Sequence, residues 1–127
     1  MSAVIRFLAD VPQHVAQLAQ WHHREWSSLM PDWSLDEARE ELVTHAQCRT
    51  RPTTLVLLDG DTMQGSVSLI DEDAPEFRDR GEPWLASLYV RPEARGRGYG
   101  QQLAQALVAH ARDIGVERLY LFTPDHR

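Results

Sequence analysis

One stretch of the chain concentrates residues that could do chemistry: Val90-Arg91-Pro92-Glu93-Ala94-Arg95-Gly96-Arg97-Gly98-Tyr99-Gly100-Gln101. Gly96, Gly98 and Gly100 alternate with larger residues, and Arg95 and Arg97 interleave with them. Glycine lets a backbone take positive φ and lie close against a ligand. If a helix starts here, its first amides have no intrahelical acceptor and its dipole is positive at that end. Phosphate or pyrophosphate suits such a place, and guanidinium groups add donors and charge. A lone Gly-x-Gly is most often only a tight turn. Two arginines among three glycines favour an anion site.

Other chemistries are excluded or lack support. All 13 basic residues are arginine, so no lysine is available for a Schiff base or a Walker-type phosphate loop. A dinucleotide loop would place its first glycine directly after the strand, but this loop is longer and carries Pro92. Cys48 is the single cysteine, which excludes an internal disulfide and a cysteine-rich zinc site. His14, His22, His23 and His45 lack metal-ligand spacing, so no metal is expected. His22 falls on an apolar helix face and reads as a core histidine.

The elements that must position the glycine segment follow from hydrophobic pattern. Trp84 to Val90 reads as a strand before it, and Tyr99 to Ile114 as a helix after it. That helix has Leu103, Leu107 and Ile114 on its apolar stripe and Gly115 as its C-terminal stop. Val4 to Leu8 is a short first strand. Asp10 with Gln13 has the form of a capping box opening a helix whose face is Val11, Val15, Leu18, His22 and Trp26. Ser34 with Glu37 opens a second helix with stripe Leu35, Ala38, Leu42 and Ala46. Thr53 to Asp59 and Gln64 to Ile70 read as antiparallel strands joined at Gly60-Asp61. The acid-rich 71–81 segment reads as a loop, and Val116 to Phe122 as a last strand. The order is β-α-α-β-β-β-α-β: one α/β domain over 1–127 with a mixed, mostly antiparallel sheet.

Composition agrees with a folded domain. Of 127 residues, 43% are hydrophobic and 25% charged, ordinary globular values. The formal charge of −6 disfavours a nucleic-acid partner. No apolar run is long enough for a membrane span, and the N-terminus does not have the form of a signal peptide. A cytoplasmic location is the expectation.

The segment Arg95-Gly96-Arg97-Gly98-Tyr99-Gly100 resembles the acyl-CoA-binding motif Arg/Gln-x-x-Gly-x-Gly/Ala of the GNAT superfamily of N-acetyltransferases. Leu88-Tyr89-Val90-Arg91-Pro92 is similar to that family's strand leading into the loop, and the element order matches along the whole chain. The resemblance implies acetyl-CoA as cosubstrate and a primary amine, of a small molecule or peptide, as acceptor. It implies that the amides of Arg95, Gly96, Arg97, Gly98, Tyr99, Gly100 and Gln101 wrap the coenzyme pyrophosphate. The backbone of Leu88, Tyr89 and Val90 would pair with the pantetheine arm. A bulge in that strand would aim an amide near Leu88 at the thioester carbonyl.

A protonated amine must lose its proton before it attacks. Glu82, Asp71, Glu72 and Asp73 are the candidates for this, with Glu82 the chosen base. Relatives with a glutamate early in the strand would place it where Trp84 stands, so Glu82 departs from the pattern. Trp26, Trp33 and Asp71 are the expected acceptor-binding residues, the tryptophans because the loop between the first two helices lines the acceptor pocket in this family. Family members continue beyond the last strand seen here into a helix and further strands. Three readings follow: the sequence is a piece of a longer protein, a second copy completes it as a homodimer, or the domain binds acyl-CoA as a sensor without catalysis.

Overall fold

The structure, a computed structural model, describes residues 3–47, 49, 52–70, 84–116 and 120–121. Its elements are β1 (Ala3–Phe7), α1 (Val15–Trp26), α2 (Leu35–His45), β2 (Thr53–Asp59), β3 (Thr62–Ile70), β4 (Trp84–Val90), α3 (Tyr99–Asp113) and β5 (Tyr120–Leu121). They form one sheet in the spatial order β1-β2-β3-β4-β5. Neighbours from β1 to β4 are antiparallel, and β5 runs parallel to β4, paired at Trp84–Tyr120 and Leu85–Leu121. This is the mixed α/β order expected from the sequence pattern. Among the described residues no helix is long and apolar enough to cross a membrane.

Strand alternation sends successive side chains to opposite faces. Leu55, Leu57, Val67, Leu69 and Leu85 meet Leu103, Leu107 and Ala111 of α3. Val56, Leu58, Met63 and Tyr89 meet Leu18, Ala19, Trp21, Ala38 and Leu42 of α1 and α2. Helices therefore cover both faces, which explains why β2 is buried nearly throughout rather than alternately.

Two irregularities change the register. On β3, Leu57 pairs with Gly65 but Leu58 pairs with Met63, so Gln64 is an extra residue. On β4, Ser66 pairs with Tyr89 and Ser68 with Ala86, so Ser87 and Leu88 together oppose Val67. This is a β-bulge. Ser87 takes φ +57, a left-handed value uncommon for a residue with a side chain. The extra residue reverses the phase of the strand. Leu85 faces α3, whereas Tyr89, four residues on, faces α1.

Helix ends follow local chemistry. Ser34 Oγ accepts from the Glu37 amide at 3.0 Å, and Glu37 Oε1 accepts from the Ser34 amide at 2.8 Å, the expected capping box. Gly115 has φ +88; its amide donates to Arg112 O and the Val116 amide to Ala111 O, a Schellman closure of α3. The expected cap at Asp10 is not formed. Two short 3-10 turns, Leu8–Asp10 and Pro12–His14, precede α1, which has no side-chain cap. Val11, at φ −136 and ψ 57, separates the turns, and the Asp10 carboxylate instead accepts from Arg49 Nε at 2.9 Å.

Candidate functional site

The glycine segment lies where β4 passes into α3. A single 3-10 turn, Pro92–Ala94, leads into it, and Gly98 is the N-cap of α3. Gly96 has φ +88 and Gly98 φ +82, and a Cβ built at either would meet no atom within 4 Å. Both positions combine a glycine conformation with open approach. No side chain caps α3, in contrast to α2. The first amide of the helix to find a main-chain acceptor is that of Gln102, bonded to Gly98 O at 3.1 Å. The amides of Tyr99, Gly100 and Gln101 precede it, in the turn where helical geometry offers no partner. The resulting cradle fits an anionic group: open, glycine-lined, at the positive end of a helix dipole.

The loop arginines have different surroundings. The Arg91 amide donates to Gln64 O and its Nε to Gln64 Oε1, both at 2.9 Å. The bulge at Gln64 thereby anchors the start of the loop. Arg95 Nε donates to Val90 O at 2.7 Å, and its Nη2 lies 3.6 Å from Glu25 Oε1. Arg97 is exposed.

On β4, Leu88 is 36% exposed and Tyr89 is buried. Among the described residues β5 pairs only with Trp84 and Leu85, so no β5 partner is described for Leu88, Tyr89 and Val90. Gly65, opposite Val90, is required by packing: a Cβ there would lie 2.5 Å from Tyr89 O and 3.2 Å from Leu103 Cδ1. Tyr89 carries an aromatic group from α1: ring centroids of Trp21, Trp26 and His22 lie 5.6, 6.0 and 6.1 Å from its own.

Of the two expected acceptor tryptophans, Trp26 therefore reaches β4. Trp33 is held within the helical layer: its Nε1 donates to Glu41 Oε2 at 3.2 Å, its carbonyl lies 3.0 Å from His23 Nε2, and its ring is 5.7 Å from that of His23. With Trp33 anchored, the loop presents Leu29 (60% exposed) and Met30 (45%) to solvent. Glu82 and Asp71, together with Glu72 and Asp73, lie outside the described residues.

His22 is the core histidine expected. Its Nε2 is 3.0 Å from Ser66 Oγ, and burial, reinforced by the charge of His45, lowers its pKa to about 3. His45 Nδ1 is 2.9 Å from Thr54 Oγ1, which is 2.8 Å from Ser68 Oγ; burial lowers the His45 pKa to about 4. Such weak bases do not deprotonate an ammonium group. Among the described residues no group of three or more His, Cys, Asp or Glu could hold a metal ion.

Sequence reasoning passed over Glu25, Gln64 and Gly65. Only Gly65 left a signal, since a glycine inside a strand marks a bulge or a close backbone approach.

The model of the acetyltransferase (GNAT) family matches residues 15–127, and the chain belongs to that family. No curated protein gives a significant sequence match. Solved structures share the fold. The aminoglycoside N-acetyltransferase AAC(6')-Iy in complex with CoA superposes with TM-score 0.71 at 15% identity, over 96% of this chain and 77% of that one. A GCN5-related N-acetyltransferase from Ralstonia eutropha JMP134 gives 0.71 at 20% identity, over 98% and 85%. A predicted acetyltransferase from Clostridium acetobutylicum, solved with acetyl-CoA, gives 0.70 at 13%, over 96% and 81%. At these identities the likeness concerns the fold.

Proposed function

We propose that the chain transfers the acetyl group of acetyl-CoA to a primary amine by direct attack. The observation that carries this reading is the uncapped start of α3, with Gly96 and Gly98 at positive φ and open to approach. The amides of Gly96 to Gln101 then hold the coenzyme pyrophosphate, with Arg97 as the exposed cation beside it; the Arg95 amide, expected among them, instead donates to Pro92 O at 3.3 Å and closes the preceding turn. The pantetheine arm lies along Leu88, Tyr89 and Val90 as a substitute strand, beyond the described β5 pairing.

The chemistry is a substitution at the thioester carbonyl. The amine nitrogen forms a bond to the carbonyl carbon, negative charge gathers on the oxygen, and the carbon–sulfur bond then breaks with its electrons going to sulfur. The bulge at Ser87 and Leu88 turns main-chain groups of β4 out of the regular ladder. An amide of this stretch, near Leu88, donates to the developing oxyanion. Glu82 takes one proton from the ammonium group before attack, directly or through water, and the proton that the nitrogen sheds after attack passes to the leaving sulfur, which departs as the thiol. Trp26, Trp33 and Asp71 are the acceptor-side residues in this reading.

Charge supports a cationic acceptor. Residues 24–41 hold six carboxylates (Glu25, Asp32, Asp36, Glu37, Glu40, Glu41) against Arg24 and Arg39, a local net of −4 in a chain whose total is −6. An ammonium group is drawn toward such a segment, most strongly at low ionic strength.

Calorimetric titration with acetyl-CoA, with NADH as control, tests the reading together with Gly98→Val. The wild-type chain binds acetyl-CoA selectively, and the variant loses at least about 100-fold in affinity because the new side chain projects into the approach path. A Cβ at this position meets no protein atom within 4 Å, and the left-handed backbone there costs a residue with a side chain on the order of 1–2 kcal/mol. Unchanged affinity in the folded variant refutes the loop assignment. Thiol release from acetyl-CoA with a panel of amines separates catalysis from an acyl-CoA sensor, which binds but releases none.

A further inference from the structure

We propose that Glu25 is a positioning residue for the coenzyme loop, acting through Arg95. The inference rests on the coenzyme reading above. Arg95 opens the glycine segment and, by charge alone, would be expected to reach for an anion. Its side chain folds back over the surface toward β4 and α1 instead. Nε donates to Val90 O at 2.7 Å, Nη2 stands 3.6 Å from Glu25 Oε1, and Cζ lies 5.7 Å from the centroid of the Tyr89 ring. The guanidinium thus touches the last carbonyl of β4, the last turn of α1 and an aromatic platform between them.

That platform is fixed. The Tyr89 ring is contacted by Trp21, His22 and Trp26, and His22 is tied to Ser66 on β3. Immediately after Arg95 come Gly96 and, two residues on, Gly98, the least restrained residue type, whose ordering costs the most conformational entropy. A loop that presents amides in a fixed pattern needs its first residue held. Main-chain bonds hold Ala94 and Arg95 within the preceding turn. Among the described residues, the ion pair recorded between this loop and α1 is Glu25 to Arg95. The planar fork of arginine suits this role, since it can donate to a carbonyl and a carboxylate at once while lying over a ring. The three loop arginines then divide their work: Arg91 and Arg95 brace the loop from beneath, and Arg97 remains exposed.

Glu25→Gln gives opposite signs for two effects. Removing a carboxylate near an anion site reduces repulsion and tightens binding. Releasing Arg95 loosens the loop and weakens binding. The positioning role requires the second to win. The side chains of Arg95 and Glu25 are 50% and 35% exposed, so the effect is modest, within the roughly fivefold that an exposed pair can supply.

The test is calorimetric titration of the 127-residue chain with acetyl-CoA for wild type, Glu25→Gln, Arg95→Lys and the double variant, with melting curves of each. The expected result is about three- to fivefold weaker binding in Glu25→Gln at an unchanged melting temperature. With the amine giving the fastest thiol release, KM for acetyl-CoA rises by the same factor and kcat stays within about twofold, since uniform binding is what is lost. In the Arg95→Lys background the Glu25→Gln loss shrinks to near nothing. Equal or tighter binding in Glu25→Gln, fully additive losses, or a fall in kcat with KM constant overturns the proposal while leaving the coenzyme reading intact. A wild-type chain that binds no acetyl-CoA overturns both.

Discussion

The two faces of the sheet are built from different chemistry. Beneath α3 the layer is aliphatic: Leu55, Leu57, Val67, Leu69 and Leu85 against Leu103, Leu107 and Ala111. Beneath α1 and α2 the layer carries a polar seam, His22 to Ser66 and His45 to Thr54 to Ser68, beside the aromatic group around Tyr89. The aliphatic face seats the helix whose uncapped first turn follows the open glycines Gly96 and Gly98. The polar face holds β4 and the Arg95 side chain from the other side. One layer gives stability that ignores pH, and the other gives fixed orientation at the cost of acid sensitivity.

Leu107→Ala gives the largest expected effect. The side chain is fully buried on the aliphatic face, and truncation there costs about 3 kcal/mol by lost transfer energy and cavity formation. Urea unfolding at several pH values checks it, and the loss is the same at each. Acidification exposes the other face. His22 and His45 titrate near 3 and 4 when folded, against 6.5 for a free imidazole, so the unfolded chain binds more protons between these values. Stability is therefore complete above about pH 6.5 and falls as pH drops toward 4, by about 2 kcal/mol for each histidine at pH 5. A flat stability profile between pH 7 and 5 would contradict the buried seam. Ser34→Ala, away from both layers, removes the capping box of α2 for about 1 kcal/mol and leaves acetyl-CoA affinity unchanged. A melting curve paired with one titration checks it.

These contrasts also mark what could be read from the sequence. The capping box at Ser34, the stop at Gly115, the turn at Gly60-Asp61 and the stripe of Leu103 and Leu107 are local signals, and each appears where expected. The glycine cradle was legible for the same reason: its residues are consecutive. Asp10 misled because Arg49, 39 residues away in the chain, takes its carboxylate. The bulge at Ser87 and Leu88 was expected from the family resemblance alone, since no residue type announces it, and the orientation of Tyr89, which that extra residue reverses, could not be read from the alternation of the strand. The folding back of Arg95 depends on Glu25, 70 positions earlier, and on a ring whose direction that bulge decides.

Gly65 has a consequence of another kind. It is the floor on which Leu103 rests, 3.2 Å from where a methyl would stand, while the Tyr89 carbonyl crosses the same spot at 2.5 Å. The seating depth of α3 on the sheet, and so the height at which its first amides emerge beside β4, is set by a missing side chain. A methyl group at that point would act as a shim under the helix, lifting its uncapped first turn relative to the edge of β4.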